Sequence, residues 1–596
     1  MSFDIVIKNG LYFDGSGAAG VPRHLGIRDG RITAVSVEAL DETGARVFDA
    51  SGRWVTPGFL EPHSHYDAEV IAAPALKESV RHGITTVAIG SCSLSMINSG
   101  PQDSSDLFTR VEAIPRAQVI PLLHEKKTWN NARDYRAFYD QHPLGPNLCS
   151  FVGHSDLRVA VMGMDRATQR IEPTPSELRQ MEDQLNEALD AGMLGLSVMT
   201  TRFDRVDGDV AWSRPLPSTF ARWSEFGRLF GILRRRGGVL QGAPDAAGKI
   251  NMAGFLWHAM GWFRTRLKTS LLTAMDMKSQ PWLHVLTRYS GWMAQKFLRA
   301  DFRWQMLPVP MRLYCDGLDW VMFEEFTGGK MLRHLKSKDD QYEKIKDPVF
   351  RALFKRDLKR AIGAGLWNRD FGDADVVDCP DQSLIGKNFV EIGQAQGKDG
   401  VDAYFDLCIL YREKLRWTTL TANQRPEIMH KFLKSQSTQV GFADSGAHLR
   451  ALAFYNFPLR TLKYVRDAAL AGKPFMDTGA AVHRLTGELA DWFGLDAGYI
   501  RVGDRADVVI VNPEGLTDEL DRVAEAEAEG LGLVRLVNRN DAAVDATLIN
   551  GRIAYERGQG YAADLGQSRG YGRFLPGKHL RARQSAAVPA LTLSPS

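Results

Sequence analysis

A short apolar run that ends in two histidines constrains this chain more than any other stretch of its sequence. Residues 54–60, Trp-Val-Thr-Pro-Gly-Phe-Leu, predict a buried strand, and His63 and His65 follow it directly. Side chains two residues apart on an extended segment point to the same face. Both imidazoles can therefore reach one ion, and imidazole binds zinc, iron, nickel and copper. On spacing alone, two solvated histidines at a polar strand end are an equal alternative.

Four motifs, in order along nearly the whole chain, resemble those of the metal-dependent amidohydrolase superfamily. Residues 57–67, Pro-Gly-Phe-Leu-Glu-Pro-His-Ser-His-Tyr-Asp, resemble its first-strand signature. Residues 83–92 end in Gly-Ser-Cys, which is similar to the Gly-Asn-Cys of the N-acyl-D-amino-acid deacylase (D-aminoacylase) branch. Residues 441–448, Gly-Phe-Ala-Asp-Ser-Gly-Ala-His, resemble that branch's Ser-Asp-x-Gly motif. Residues 494–511 are close to the signature with which the superfamily returns to a small β-domain.

The resemblance implies a metal site with one or two divalent ions, zinc by expectation. It makes His63, His65 and Cys92 metal ligands, and it makes Asp444 the catalytic general base and a further ligand. A bound divalent ion lowers the pKa of its water from about 15.7 to about 7. A neighbouring carboxylate can then carry a proton from water to the leaving nitrogen. The alternatives are a buried inert thiol for Cys92 and a helix cap for Asp444.

Four further residues are candidate substrate contacts. Residues 151–158 resemble another stretch of the same branch, in which Arg158 could clamp a carboxylate and His154 could polarise a carbonyl. A salt bridge and a hydrogen-bonded loop histidine are equal alternatives for these two. His448 is near Asp444 in the sequence, where it could orient that carboxylate or contact substrate. Gln241 occupies a position at which the resemblance leads us to expect a histidine.

The predicted fifth and sixth strands depart from the family pattern, in which each supplies one histidine ligand. The fifth-strand candidate offers Gln241, and the sixth-strand candidate, residues 270–278, contains no histidine. Glutamine is a weak ligand for transition metals. Asp276 or a carbamylated Lys278 could substitute, or a single ion could be bound more loosely by His63, His65, Cys92 and Asp444. The number and identity of the metal ions therefore stay open.

Strands and helices alternate between residues 57 and 490, which indicates parallel βα units. Together with the resemblance, this predicts an α/β fold: a (β/α)8 TIM-like barrel with a small β-sandwich domain built from both chain ends. The active site of such a barrel lies at the C-terminal ends of the strands. The predicted segments are 1–56 and 491–560 for the small domain, 57–490 for the barrel, about 245–345 for an aromatic-rich insertion, and 561–596 for a poorly ordered or partner-contacting tail.

Composition narrows the class of protein. The chain has 74 Lys and Arg against 71 Asp and Glu, so its net charge of +3 demands neither nucleic acid nor an anionic membrane. No apolar run reaches the ~18–20 residues of a membrane span, and the first residues lack a signal-peptide pattern. Five scattered cysteines fit a reducing compartment. We therefore expect a cytoplasmic protein without nucleic-acid or membrane partners, and homo-oligomerisation stays open.

These features predict a metal-dependent amidohydrolase that cleaves a non-peptide C–N amide bond. The expected partner is a small-molecule amide, an N-acyl amino acid or a related hydrophobic amide. The aromatic segment suggests an acyl or aryl group larger than acetyl. Two alternatives remain: a lactone, lactam or cyclic-imide hydrolase on the same scaffold, and a catalytically degenerate scaffold protein that has lost ligand histidines.

Overall fold

A computed structural model describes residues 2–245, 249–360 and 365–579 of the chain. Within these ranges the chain has an α/β fold in which parallel strands alternate with helices. Strands from both chain ends combine in a separate mixed sheet. Residues 561–579 of the segment predicted to be a tail pack on the fold: the Leu148 N–H donates to the Arg573 carbonyl, and the Leu575 N–H donates to the Leu148 carbonyl. The rest of that predicted tail, 580–596, lies outside the described residues.

The mixed sheet joins the two ends of the chain through the strand Trp54–Pro57. This strand runs parallel to Ile5–Tyr12 on one side and antiparallel to Val508–Val511 on the other. The Asn550-Gly551 turn has positive φ at both residues, as a tight hairpin requires. Nine strands form the sheet: Ile5–Tyr12, Val21–Arg28, Arg31–Ser36, Arg46–Asp49, Trp54–Pro57, Val508–Val511, Val544–Ile549, Arg552–Glu556 and Gly560–Tyr561.

The parallel strands carry near-continuous runs of buried residues, as strands covered on both faces do. All six residues of Ile84–Ile89 are buried, for example. In chain order, the parallel strands are Phe59–Glu61, His63–Ser64, Ile84–Ile89, Asn147–Ser150, Val152–Gly153, Gly195–Met199, Val239–Ala243, Lys268–Leu272, Asp301–Met306, Thr438–Val440 and Phe442–Ser445. Each pairs with the strand before it or continues it, and Phe442–Ser445 pairs with His63–Ser64.

Helices connect most of these strands, and one of the longer ones is Pro175–Asp190. Thr174 and Glu177 form a reciprocal capping box at its start, which satisfies two backbone N–H groups. The longer connecting helices are Pro101–Phe108, Arg116–Lys126, Ala132–Gln141, His154–Met162, Pro175–Asp190, Trp223–Arg236, Lys249–Ala259, Leu283–Lys296, Pro426–Leu433, Phe457–Leu470, Thr478–Leu485 and Gly487–Phe493.

The departure from strand–helix alternation lies later in the chain than the sequence suggested. Residues 245–345 were expected to form an insertion, but they contain the parallel strands Lys268–Leu272 and Asp301–Met306. The first of these strands overlaps the sixth-strand candidate, residues 270–278, whereas Asp301–Met306 was missed because its mixture of charged, polar and aromatic residues does not form the continuous apolar run expected of a buried parallel strand. The true excursion lies between Met306 and Thr438. It consists of an antiparallel sheet of Met311–Asp316, Ala374–Asp378 and Arg416–Ala422 with the helices Thr327–Arg333, Lys338–Lys344, Pro348–Lys359, Phe389–Ala395 and Gly400–Tyr411.

Candidate metal centre and cavity

His63, His65 and Cys92 converge at the ends of two neighbouring parallel strands. Nε2 of His63 lies 3.3 Å from Nε2 of His65 and 3.4 Å from Sγ of Cys92. All three ligand atoms lie within 4.8 Å of one another, and all three residues are buried. Cys92 has a left-handed backbone (φ 52°) after the strand Ile84–Ile89. Such a conformation costs a non-glycine residue energy, so it marks a position that the surrounding structure enforces.

Asp444 completes this arrangement from the last parallel strand. Its Oδ1 lies 3.3 Å from Nε2 of His63 and 3.4 Å from Nε2 of His65. No described residue makes a hydrogen bond to this oxygen within geometric limits, although it is buried. Buried oxygens without a donor are rare, and a bound ion is one explanation. Asp444 also has a positive φ of 51°, which turns its carboxylate out of the strand.

Two residues that sequence analysis missed hold the outer nitrogens of the histidines. Nδ1 of His63 lies 2.6 Å from Oε1 of Gln305, and Nδ1 of His65 lies 3.0 Å from Oε1 of Glu112. Both contacts favour a proton on Nδ1 and leave the Nε2 lone pairs directed at the cluster, as metal-binding histidines require. Gln305 lies on the strand Asp301–Met306 and Glu112 in a loop. Neither position carries a local sequence signal.

Burial and neighbouring charges together set the pKa values of the cluster residues. Desolvation lowers the pKa of His63 to about 4 and raises that of Cys92 to about 12. Desolvation likewise raises the pKa of Glu112 to about 8, although the neighbouring His65 opposes the shift. Burial also opposes ionisation of Asp444, but the proximity of His65 and the positive charge of both histidines hold its pKa below the usual value. A thiol in such surroundings needs a nearby cation to ionise.

The donor set fits a divalent metal ion. Ligand atoms at about 2.0–2.3 Å from a tetrahedral zinc ion stand about 3.3–3.6 Å apart. The measured separations of 3.3–3.4 Å that involve His63 match this spacing. Imidazole, thiolate and carboxylate are also the ligand types that zinc prefers. His63, His65, Cys92 and Asp444 therefore form a donor set that suits one divalent ion.

A second ligand set is not apparent among the described residues. Gln241 is buried in the middle of the strand Val239–Ala243, where its amide nitrogen donates to the Pro62 carbonyl at 3.3 Å. The sixth-strand candidates have other partners: Asp276 pairs with Arg425, and Nζ of Lys278 lies 2.6 Å from Asp373. The observed strand, Lys268–Leu272, ends before both residues. Neither residue therefore replaces the histidine ligand that the predicted sixth strand lacks.

A cavity of about 600 Å³ opens from the cluster. His448 lies at its polar end, where its backbone N–H donates to the Glu112 carbonyl at 2.6 Å. Its volume is typical of small-molecule sites, and most of its wall is apolar. The polar lining consists chiefly of His65, Cys92, Glu112, Asp204, Asp444 and His448; the apolar wall includes Met199, Met252, Leu256, Leu272, Met277, Leu283, Leu286, Met293, Trp304 and Phe442.

His154 and Arg158 lie together but outside the cavity lining. Nε2 of His154 lies 3.0 Å from Glu225, and Nη1 of Arg158 lies 3.4 Å from the same carboxylate. Arg158 also donates to the Ile171 carbonyl at 2.8 Å, and both side chains are fully buried. Glu225 compensates these groups within the protein. Neither side chain lines the cavity, so the structure does not support the substrate contacts predicted for His154 and Arg158.

Comparisons with known proteins agree on the fold and family. Residues 46–216 match a family model described as an amidohydrolase family. An uncharacterized protein of Mycobacterium tuberculosis is 46% identical over 99% of this chain and 97% of its own length. An N-acyl-D-glutamate deacylase of Alcaligenes xylosoxydans xylosoxydans is 33% identical, over 33% of this chain and 36% of its own length.

Solved structures are similar over nearly the full length. N-acyl-D-glutamate deacylase from Bordetella bronchiseptica, complexed with zinc and a phosphonate inhibitor, has a TM-score of 0.64 at 21% identity. The match covers 97% of this chain and 100% of that one. A D-aminoacylase structure has a TM-score of 0.60 at 20% identity, over 96% and 100% of the two chains. At such identities the likeness concerns the fold. Among the described residues, no helix combines the length and apolar character needed to cross a membrane.

Proposed function

Because this chain belongs to the amidohydrolase superfamily and resembles its N-acyl-D-amino-acid deacylase branch, we propose that it is a metal-dependent hydrolase of a non-peptide C–N amide bond. The substrate class is an N-acyl amino acid or a related hydrophobic amide. The observation that carries the proposal is the convergence of His63, His65, Cys92 and Asp444 at one end of an apolar cavity. The unsatisfied Asp444 oxygen favours an intact site over a degenerate scaffold.

In this proposal one divalent ion, zinc by donor type, is held by His63, His65, Cys92 and Asp444. When bound, such an ion acidifies water and polarises the substrate carbonyl. Gln305 and Glu112 fix the two imidazole rings through their outer nitrogens. Glutamine in place of the fifth-strand histidine, with no substitute nearby, supports a single ion rather than a pair.

Asp444 is the proposed proton carrier of the reaction. Its Oδ1 lies among the candidate ligand atoms, so this oxygen would contact the ion while the second carboxylate oxygen takes up the proton. The pKa of this carboxylate lies below its usual value, so it is ready to accept a proton at neutral pH. It would take the proton of the attacking water and deliver it to the leaving nitrogen. His448, at the same end of the cavity, and Gln241 are proposed to contact the polar part of the substrate.

The cavity wall supports an acyl group larger than acetyl. Four methionines, Met199, Met252, Met277 and Met293, line it together with leucine and aromatic side chains. Methionine adapts its shape to irregular apolar groups, so such a wall suits a flexible chain. We place the acyl chain against these residues and the amide at the metal end.

We also propose that the parallel strands close into an eight-stranded barrel, with a small β-sandwich domain built from both chain ends. The pairings support closure, because the first segment, residues 59–64, pairs with the second strand at one end and with Phe442–Ser445 at the other. The site then lies at the C-terminal strand ends, where barrel enzymes carry their chemistry.

A substrate panel tests the proposed function. Purified protein with added zinc is assayed for amine release from acetyl, octanoyl and dodecanoyl amides of D- and L-amino acids, with a lactone and a cyclic imide alongside. We expect hydrolysis of linear amides that increases with acyl length. Cleavage of only the cyclic compounds would contradict the proposed substrate class, and no turnover of any compound by metal-loaded protein would favour the degenerate scaffold.

A further inference from the structure

Exposed aromatic side chains are concentrated in one segment. Among the described residues, seven aromatic side chains are exposed, and all lie between residues 257 and 297. Trp257, Trp282 and Tyr289 are 62%, 61% and 57% exposed. Clustered exposure of large apolar groups marks an interaction surface. We call this surface the aromatic patch: Trp257, Trp262, Phe263, Trp282, Val285, Leu286, Tyr289, Trp292 and Phe297.

The aromatic patch is one surface built on two helices and the turn that follows the first. On Leu283–Lys296, its members recur every three to four residues, so they share a helix face. The rings of Tyr289 and Trp292 lie 5.8 Å apart, and those of Trp292 and Phe297 lie 5.3 Å apart. The Gly261 N–H donates to the Leu298 carbonyl at 2.9 Å, which brings the turn carrying Trp262 and Phe263 beside the end of that helix.

The aromatic patch adjoins the mouth of the cavity. Leu286 is half exposed and also lines the cavity wall. The helices Lys249–Ala259 and Leu283–Lys296 both place side chains inward as well as outward, with Leu256 and Leu283 among the lining residues. An apolar molecule held against the patch could therefore enter the cavity without crossing a polar surface.

Charge is distributed unevenly around this surface. Residues 249–300 contain eight Lys and Arg against one acid, Asp276, and the rest of the chain has 66 Lys and Arg against 70 Asp and Glu. Asp276 is buried and paired with Arg425. Within the described part of the chain, six exposed cations near the patch form no ion pair: Arg266, Arg288, Lys296, Arg299, Lys431 and Lys434.

We propose that the aromatic patch and its surrounding cations dock this protein on the surface of an anionic lipid bilayer. Tryptophan and tyrosine favour the membrane interface, and lysine and arginine on the same face are attracted to anionic headgroups. The low net charge of the whole chain led us to expect no membrane partner, because the average hides the local excess of cations. Surface docking requires no membrane-spanning helix.

A second copy of the chain fits this surface less well than a bilayer does. A symmetric dimer through the aromatic patch would bring the unpaired cations of one copy towards the same cations of the other. Like charges across an interface oppose association. An anionic bilayer instead compensates them. A substrate that leaves the bilayer polar end first would pass Leu286 and bring its amide to the metal end of the cavity, with its acyl chain following along the apolar wall; this last step rests on the proposed function.

Vesicle flotation with the full chain tests the proposal without any substrate. Wild-type protein is mixed with phosphatidylcholine vesicles, with or without phosphatidylglycerol, at low and high salt. The test variant Arg288→Ala/Lys296→Ala/Lys431→Ala is matched by Lys359→Ala/Lys387→Ala/Lys414→Ala, which removes three exposed cations from the excursion. Trp282→Ser/Tyr289→Ser is matched by Val349→Ser/Leu410→Ser, which changes two exposed apolar residues elsewhere.

We expect wild-type binding only to anionic vesicles, with a loss at high salt. The cation variant should bind at least about tenfold more weakly, because each cation at the surface contributes several-fold, and its control should bind normally. No preference of the wild type for anionic vesicles, or equal losses in test and control variants, would overturn the proposal. The proposal would also be overturned if sedimentation without vesicles showed a dimer of the wild type and a monomer of the Trp282→Ser/Tyr289→Ser variant. Because hydrolysis is not measured, failure of the proposed function would not change these outcomes.

Discussion

The Glu112 carboxylate faces the outer nitrogen of His65 at 3.0 Å, and both groups are buried. The same residue accepts a hydrogen bond from the His448 backbone N–H through its carbonyl. Glu112 thus fixes the ring of one candidate metal ligand and the backbone that follows Asp444. A loop residue 47 positions from His65 therefore contacts both the segment that carries His65 and the segment that follows Asp444.

Glu112→Ala should weaken metal binding about 10–100-fold, because partners that hold ligand histidines contribute that much to affinity. Competition with a chromophoric chelator measures the change. Glu225→Gln is the matched control, since that buried carboxylate holds His154 and Arg158 outside the cavity lining. Equal losses in both variants would mean that Glu112 acts on general stability and not on His65.

Purified wild-type protein should retain close to one divalent ion per chain. His63→Ala and Cys92→Ala should lose it, because each removes a donor from the cluster. Elemental analysis measures the content. Cys149→Ala serves as the control, since Cys149 is also buried but bonds only to the Val87 carbonyl. If His63→Ala and Cys92→Ala retain the ion, the metal lies elsewhere.

Asp444→Asn should lower kcat about 10²–10⁴-fold while the protein stays folded, because the amide cannot accept the proton of water. Steady-state hydrolysis of the best amide from the substrate panel gives the rate, and thermal unfolding reports the fold. Metal content is measured alongside, since asparagine keeps an oxygen near both histidines. An unchanged rate in this variant would exclude Asp444 as the proton carrier.

Met293→Trp should raise KM for long-chain amides and change short-chain hydrolysis little, because the larger ring occupies the apolar wall away from the cluster. The ratio of kcat/KM for dodecanoyl and acetyl substrates measures the effect. Met331→Trp, at an exposed position outside the cavity lining, is the control. Equal losses for both chain lengths would show that the acyl group does not lie against Met293.

Arg425→Ala should lower the free energy of unfolding by about 3 kcal/mol, because it leaves the buried Asp276 without its charge partner. Denaturant unfolding measures this, and adding Asp276→Asn should recover part of the loss. Metal content should stay the same in both variants. Loss of metal in the Asp276→Asn protein would instead make Asp276 a ligand, as the sequence left open.

Patterns among residues that are close in the sequence predicted much of the fold. The apolar run before His63 predicted the strands Trp54–Pro57 and Phe59–Glu61 that lead to the site. The sequence also singled out His63, His65, Cys92 and Asp444, which the structure brings together. This could be anticipated because each of the four belongs to a local family motif, while their roles as ligands and base stay predictions.

Other features depend on contacts between distant residues, which a pattern cannot reveal. Gln305 reaches His63 across 242 positions, and an isolated glutamine in a strand carries no signal of that role. The strand Asp301–Met306 was missed within the predicted insertion, because its mixed charged and aromatic residues do not resemble a continuous apolar run and its paired strands are distant in sequence. His154 and Arg158 looked like substrate contacts because their shared partner, Glu225, lies on a later helix.

The strand Trp54–Pro57, held between Ile5–Tyr12 and Val508–Val511, has a consequence for biosynthesis. This strand leads into the segment that carries His63. It cannot pair with Val508–Val511, one of its two neighbouring strands, until residue 511 has left the ribosome. Asp444 also joins the histidines late, 381 positions after His63. A nascent chain can therefore hold only part of the donor set for most of its translation. Assembly of the complete donor set is therefore a step that follows synthesis of Asp444 and of the strand Val508–Val511.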